Sequence, residues 1–172
     1  DTLLVTHPEL KGLVTLLSFS APSRTHVEAY RELNDKIDDL VDEINWRHQT
    51  EQWVPVRFLR SHHDYATVLA AYQLADVLLV TSLHDGMNLV AKEFVATRAD
   101  ESGVLILSTY KGAARELEDA LFVNPFDTDS LADRMYQALI MPAQEKQLRM
   151  KRMREVVAKN DIYCWGMRIF AA

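Results

Sequence analysis

Cysteine is nearly absent from this chain. Cys164 is the only one, so no disulfide can close within the sequence, and a reducing compartment fits. Standing alone in an amphipathic C-terminal segment, it reads as a packed side chain rather than a nucleophile. Glycine is also scarce, with five in 172 residues. No P-loop and no glycine-rich dinucleotide turn can be built from them, and there is no Gly-x-Ser-x-Gly elbow and no Cys-x-x-Cys pair. No apolar run reaches the roughly 18 residues of a membrane span, and no basic segment leads into an apolar core at the N-terminus. A soluble, cytoplasmic protein is the expectation. Positive charge is in deficit: the formal net charge is -6. That argues against nucleic acid as a partner, which calls for a basic face, but not against a small basic pocket for one diphosphate.

What is present is ordinary globular material. Hydrophobic residues make up 48% and charged residues 26% of the chain, enough for one domain of this length to bury a core. The apolar run Leu13-Val14-Thr15-Leu16-Leu17 reads as a buried strand. Thr25 and Glu28 have capping-box spacing, and Val27, Tyr30, Leu33, Ile37, Leu40, Val41 and Ile44 then recur as one face of a long helix. Val56-Arg57-Phe58-Leu59 is a second strand, residues 64–74 a helix with Tyr65, Val68, Leu69 and Tyr72 inward, and Val77-Leu78-Leu79-Val80 a third strand. A helix follows, then the strand Val104-Leu105-Ile106-Leu107. The C-terminal part reads as two helices, one capped by Asp127 or Asp129 and ended by Pro142, the other over 143–157. Met135, Met150 and Met153 read as core filler, and Arg149, Lys151, Arg152 and Arg154 as an exposed basic face.

Strand and helix alternate, which predicts an α/β fold with a doubly wound parallel sheet, Rossmann-like, followed by C-terminal helices. Ligands of such sheets bind beyond the carboxyl ends of the strands. The turns over 20–24, 59–63, 81–88 and 108–114 all follow strands, so the site is expected on that edge.

The turn after the third strand is the most informative. Asp85-Gly86-Met87-Asn88-Leu89-Val90-Ala91-Lys92-Glu93-Phe94 is a glycine turn running into a helix. It predicts that the N–H groups of residues 87–90 converge where the helix dipole favours an anion. Glu93 falls one turn beyond Leu89 on the same face, its side chain leaning back toward the N-terminus. A plainer reading has Asp85 capping the helix, Gly86 serving the turn and Glu93 facing solvent.

The same residues resemble the nucleotide-sugar signature of the trehalose-6-phosphate synthases, retaining glucosyltransferases of the GT-B fold. The likeness extends to residues 13–24, to Ala75-Asp76-Val77 with Val80-Thr81, to Gly112-Ala113-Ala114 with Glu116-Leu117, to Val123-Asn124-Pro125-Phe126-Asp127, and to Lys159-Asn160-Asp161 with Trp165. His84 departs from the arginine usual in the family. By this resemblance, residues 1–172 are a single donor-binding domain, the C-terminal half of a two-domain enzyme. It would be truncated on its N-terminal side, without the acceptor-binding domain and the upstream basic residues that face the diphosphate.

The resemblance also implies roles. Asp85 would hold sugar hydroxyls and is the catalytic candidate. Met87 and Asn88, after Gly86, would present N–H groups beside the sugar, Leu89 and Val90 theirs to the diphosphate, and Glu93 would take the ribose hydroxyls. Leu59 and its neighbours would frame the base. Arg24 matches an arginine that meets the phosphate of glucose 6-phosphate, the rival reading being surface cover. The implied donor is a nucleoside diphosphate glucose, with UDP-glucose expected, and no metal or other cofactor is implied. His62, His63 and Asp64 sit on one turn, where adjacent histidines rarely converge on a metal. A synthase with another acceptor, such as one making glucosylglycerol phosphate, and a non-catalytic regulatory paralogue are the alternatives. No nucleic acid or membrane partner is expected, and a homo-oligomer stays open.

Overall fold

In a computed structural model the structure describes residues 1–21, 27–83, 85, 87–110, 112–160 and 162–170. The chain divides into two compact units, Asp1–Thr67 and Val68–Ala172.

The first unit opens with α1 (Thr2–Thr6) and a short 3-10 helix, Pro8–Leu10, and continues with β1 (Leu16–Phe19), α2 (Glu28–His48) and β2 (Val56–Leu59). The two strands are parallel, in register from Leu16 opposite Val56 to Phe19 opposite Leu59. β1 thus starts three residues later than its apolar run predicts, because Gly12 turns at φ +81 and Leu13, 78% exposed, precedes the ladder. Nor is β1 buried: Leu16 and Leu17 are 40% and 45% exposed. The apolar face of α2 is likewise open at Tyr30, Leu33 and Leu40, and half-buried at Ile37, Val41 and Ile44.

Polar contacts fix α2 to β2. Asn45 accepts from the Val56 N–H through Oδ1 and donates to the Val56 carbonyl through Nδ2, both at 3.0 Å. Arg60 reaches both Asp38 oxygens at 2.7 and 2.8 Å, the bidentate fork that a guanidinium favours. The helix begins at Glu28 with Val27 as N-cap. Glu28 therefore opens the helix instead of closing a capping box from its third position, and Thr25 lies outside the described residues.

α3 (Tyr65–Leu74) leads into the second unit and is followed by β3 (Val77–Val80), α4 (Leu89–Thr97), β4 (Val104–Ser108), a 3-10 turn at Gly112–Arg115, β5 (Leu121–Val123), α5 (Thr128–Ile140), α6 (Ala143–Lys159) and α7 (Ile162–Phe170). The strands form a parallel sheet in the order β3-β4-β5. Every residue of β4 is buried, and its alternating side chains separate two cores. Leu105 and Leu107 pack with Phe94, Val95, Met150 and Met153. Val104 and Ile106 pack on the other face with Leu121, Ala138 and Met141. Helices therefore cover both faces of this sheet, as a doubly wound fold requires. The inward assignments of Tyr72, Met150 and Met153 hold, whereas Tyr65 is 61% exposed.

β5 and α7 do not figure in the sequence reading. The basic face of α6 is also more committed than its sequence suggests: Arg149 donates to the Asp119 carbonyl at 3.1 Å and Arg154 to the Ala96 carbonyl at 3.0 Å. Among the described residues the most buried lysine or arginine is Arg98, 5% exposed. It closes the end of α3 by donating to the carbonyls of Tyr72 and Ala75 at 3.0 and 3.2 Å, hydrogen bonds that a buried charge needs.

Candidate functional site

The signature turn leaves the carboxyl end of β3, and two side chains three residues apart build it in series. Asp85 Oδ1 accepts from the N–H groups of Met87 and Asn88 at 3.1 and 3.0 Å. Its Oδ2 accepts from Asn88 Nδ2 at 2.7 Å. Asn88 in turn accepts from the Ala91 N–H at 2.8 Å and is the N-cap of α4. It stands in the left-handed region at φ 53, ψ 80, a conformation that asparagine tolerates better than most residues.

This arrangement changes the donor count expected from sequence. The helix starts at Leu89, and the Met87 and Asn88 N–H groups belong to Asp85 and the Ala91 N–H to Asn88. Among the described residues, the N–H groups of Leu89 and Val90 are the open ones of the first turn. Their side chains are 59% and 43% exposed. The capping role offered for Asp85 is also refined: Asn88 caps the helix, and Asp85 organises the turn in front of it. Glu93, four residues after Leu89 in α4, is half-buried, and its carboxylate makes no hydrogen bond among the described residues. The site candidates Asp85, Met87, Asn88, Leu89, Val90 and Glu93 thus lie on one turn and the helix it opens. Gly86 and Arg24 lie outside the described residues, as does His84.

The loop after β4 joins this turn, a link that strand and helix patterning did not reveal. The Gly112 N–H donates to the Asp85 carbonyl at 3.2 Å, and Lys92 Nζ meets Glu116 Oε2 at 2.9 Å. Gly112 and Glu116 carry part of the family likeness, but one sequence does not show which residues across the sheet edge they touch.

Leu59, 37% exposed, ends β2 in the first unit. Nearby, His63 packs edge-on against Phe19 with centroids 4.6 Å apart and pairs with Ser61 Oγ at 3.0 Å. Asp64 caps α3 by accepting from the Thr67 N–H at 2.8 Å, and hydrogen bonding from the Thr67 side chain first, then from its N–H, holds its carboxyl below the usual range. Among the described residues no group of three His, Cys, Asp or Glu side chains could hold a metal ion. No described helix is long and apolar enough to cross a membrane.

Comparison with known proteins bears on the family and the fold. The family model of glycosyltransferase family 20 matches residues 1–172. The alpha,alpha-trehalose-phosphate synthase [UDP-forming] of Botryotinia fuckeliana is 38% identical over 166 residues, 96% of this chain and 32% of that protein. The glucosylglycerol-phosphate synthase of Pseudomonas anguilliseptica is 41% identical over 174 residues, covering 100% of this chain and 23% of its own length. Among solved structures, the E. coli trehalose-6-phosphate protein bound with UDP-2-fluoro glucose superposes with a TM-score of 0.95 at 37% identity, over 99% of this chain and 38% of that one. A Burkholderia xenovorans alpha,alpha-trehalose-phosphate synthase (UDP-forming) in complex with glucose-6-phosphate gives 0.94 at 34% identity, over 98% of this chain and 37% of that one. The chain therefore spans about a third or less of the length of these relatives.

Proposed function

On the premise that the chain belongs to glycosyltransferase family 20, we propose that it is the donor-binding part of a retaining glucosyltransferase. The reaction moves glucose from UDP-glucose to glucose 6-phosphate, giving trehalose 6-phosphate. Both units would belong to one nucleotide-sugar domain, partnered in the whole protein by an acceptor-binding domain. The relatives named for trehalose-phosphate synthesis, and the solved structures holding a UDP-sugar analogue or glucose 6-phosphate, support the choice of substrates. A cytoplasmic location accompanies this reading, which calls for no metal and no organic cofactor.

One observation carries it: the open N–H groups of Leu89 and Val90 at the positive end of α4, with the Glu93 side chain one turn further on. Two fixed N–H donors and the helix dipole would hold the diphosphate and stabilise the charge that accumulates there as the glucosyl bond breaks. The Glu93 carboxylate would accept from the two ribose hydroxyls, a pair of charge-assisted bonds. Asp85 would present a carboxylate to sugar hydroxyls while its Oδ1 holds the turn. Leu59 would frame the base, and Arg24 would meet the acceptor phosphate. The protein's contribution is then alignment of the two sugars and electrostatic stabilisation of the leaving diphosphate.

The Pseudomonas relative, similar over the whole chain, favours a second reading with the same donor machinery: a synthase whose acceptor is glycerol phosphate. A regulatory paralogue would keep the fold without turnover.

Calorimetric titration with UDP-glucose, ADP-glucose and GDP-glucose, with Glu93→Ala alongside, tests the donor site. UDP-glucose should bind, and the variant should lose about 1.5–3 kcal/mol of affinity, as for hydrogen bonds to a charged group. Equal affinity in the two chains would remove Glu93 from the site.

A further inference from the structure

Two segments distant in sequence are tied together twice beside the signature turn. The backbone tie is the Gly112 N–H on the Asp85 carbonyl at 3.2 Å. The side-chain tie is Lys92 Nζ on Glu116 Oε2 at 2.9 Å, with Lys92 18% and Glu116 36% exposed. Helix stability does not account for Lys92. It is the fourth residue of α4, at the positive end of the dipole, where a carboxylate is favoured and an ammonium is not. A largely covered ammonium there calls for an opposite charge, and Glu116 supplies it from the segment just after the 3-10 turn Gly112–Arg115. Beyond Glu116 the chain is anchored by Leu117, which is fully buried.

We infer that Lys92 and Glu116 are positioning residues. Their ion pair holds the loop after β4 against Asp85 and so fixes the direction in which the start of α4 presents the Leu89 and Val90 N–H groups to a nucleotide sugar. The chain of contacts is continuous. The ion pair sets where the 112–116 segment lies, and that segment delivers the Gly112 N–H to the Asp85 carbonyl. The Asp85 carboxylate holds Met87 and Asn88, and Asn88 caps α4. The clause about the nucleotide sugar rests on the donor-site proposal, whereas the clamp rests on the contacts themselves.

The experiment compares Lys92→Met, which keeps the stem and removes the charge, with the charge-exchanged double variant Lys92→Glu with Glu116→Lys. In each chain the amide exchange rate of Gly112, the UDP-glucose affinity and the exchange rates of Leu105 and Leu107 in β4 are measured. Lys92→Met should speed Gly112 exchange by about fivefold and weaken UDP-glucose binding by a similar factor, with the β4 amides unchanged. The double variant should restore both quantities, which a merely packed lysine stem would not do. Gly112 exchange that stays unchanged in Lys92→Met, or that is as fast in the double variant as in the single one, overturns the clamp. Exchange that quickens while UDP-glucose affinity stays put overturns its positioning role. If the whole protein, acceptor-binding domain included, binds no nucleotide sugar, the donor reading fails, and the exchange rates still decide the clamp.

Discussion

Asn88 should be the most sensitive residue of the signature turn, and the reasons separate by substitution. It is 6% exposed and left-handed at φ 53, and its side chain bridges Asp85 Oδ2 at 2.7 Å and the Ala91 N–H at 2.8 Å. Asn88→Ala loses the cap, costing about 1 kcal/mol. It also loses a partly buried bond to a charged group, about 1.5 kcal/mol, and leaves a Cβ residue with no local polar compensation at positive φ, about 1 kcal/mol. The loss should come to about 3–4 kcal/mol. Asn88→Gly loses the same bond to Asp85, but glycine is at ease in this conformation and costs only a few tenths at an N-cap, so it should lose about 2 kcal/mol. Urea unfolding followed by far-UV circular dichroism gives both values from the shift in midpoint. A glycine variant as unstable as the alanine one would refute the claim that backbone conformation contributes at this position.

Two further perturbations probe the parts of the fold outside the turn. Gly103 has φ +87, and a Cβ there would meet Phe94 Cζ at 3.1 Å and Arg98 Nε at 3.3 Å. Both neighbours are buried and held, so Gly103→Ala should cost about 2–3 kcal/mol in urea unfolding, and a cost under about 0.5 kcal/mol would show that the loop gives way. His48, 5% exposed, pairs through Nε2 with Asp1 at 2.8 Å. Burial first, then the charges of Lys11 and Arg47, hold its imidazole below the ordinary 6.5. The unfolded chain then takes up a proton that the folded chain refuses. Stability should therefore fall as pH drops below about 6.5, levelling off below the folded value. His48→Gln should flatten that part of a thermal-midpoint profile, and an unchanged slope would place the proton uptake elsewhere.

How much of this was readable from the sequence depended on whether the deciding contacts were local. β2 and β3 begin and end at the residues their apolar runs predict, and α5 is capped by Asp127 through the Ser130 N–H, one of the two caps foreseen. β5 has three residues, and what makes Leu121–Val123 a strand is its ladder with β4, from Ile106 opposite Leu121 to Ser108 opposite Val123. No local pattern announces that. The apolar stripe of α2 was legible as a helix face but not as a half-open one, since exposure depends on what lies opposite. At the signature turn the ambiguity was intrinsic. Asp85, Asn88 and Ala91 are spaced by three, so each of the two polar side chains can cap the residue three positions on, and the sequence cannot choose between one cap and two.

That the turn uses both caps bears on how it could bind. A single cap at Asp85 would leave a row of loosely held N–H groups for a ligand to gather, and gathering them would cost ordering entropy at the moment of binding. Two caps in series commit three of those groups to the protein and leave Leu89 and Val90, held from both sides by capped neighbours. Fewer donors then face the ligand, but they are already aimed, and pre-aimed donors stabilise developing charge without reorganising as it forms. Under the donor reading this trade suits a diphosphate that must be gripped more tightly as it departs than when it arrives.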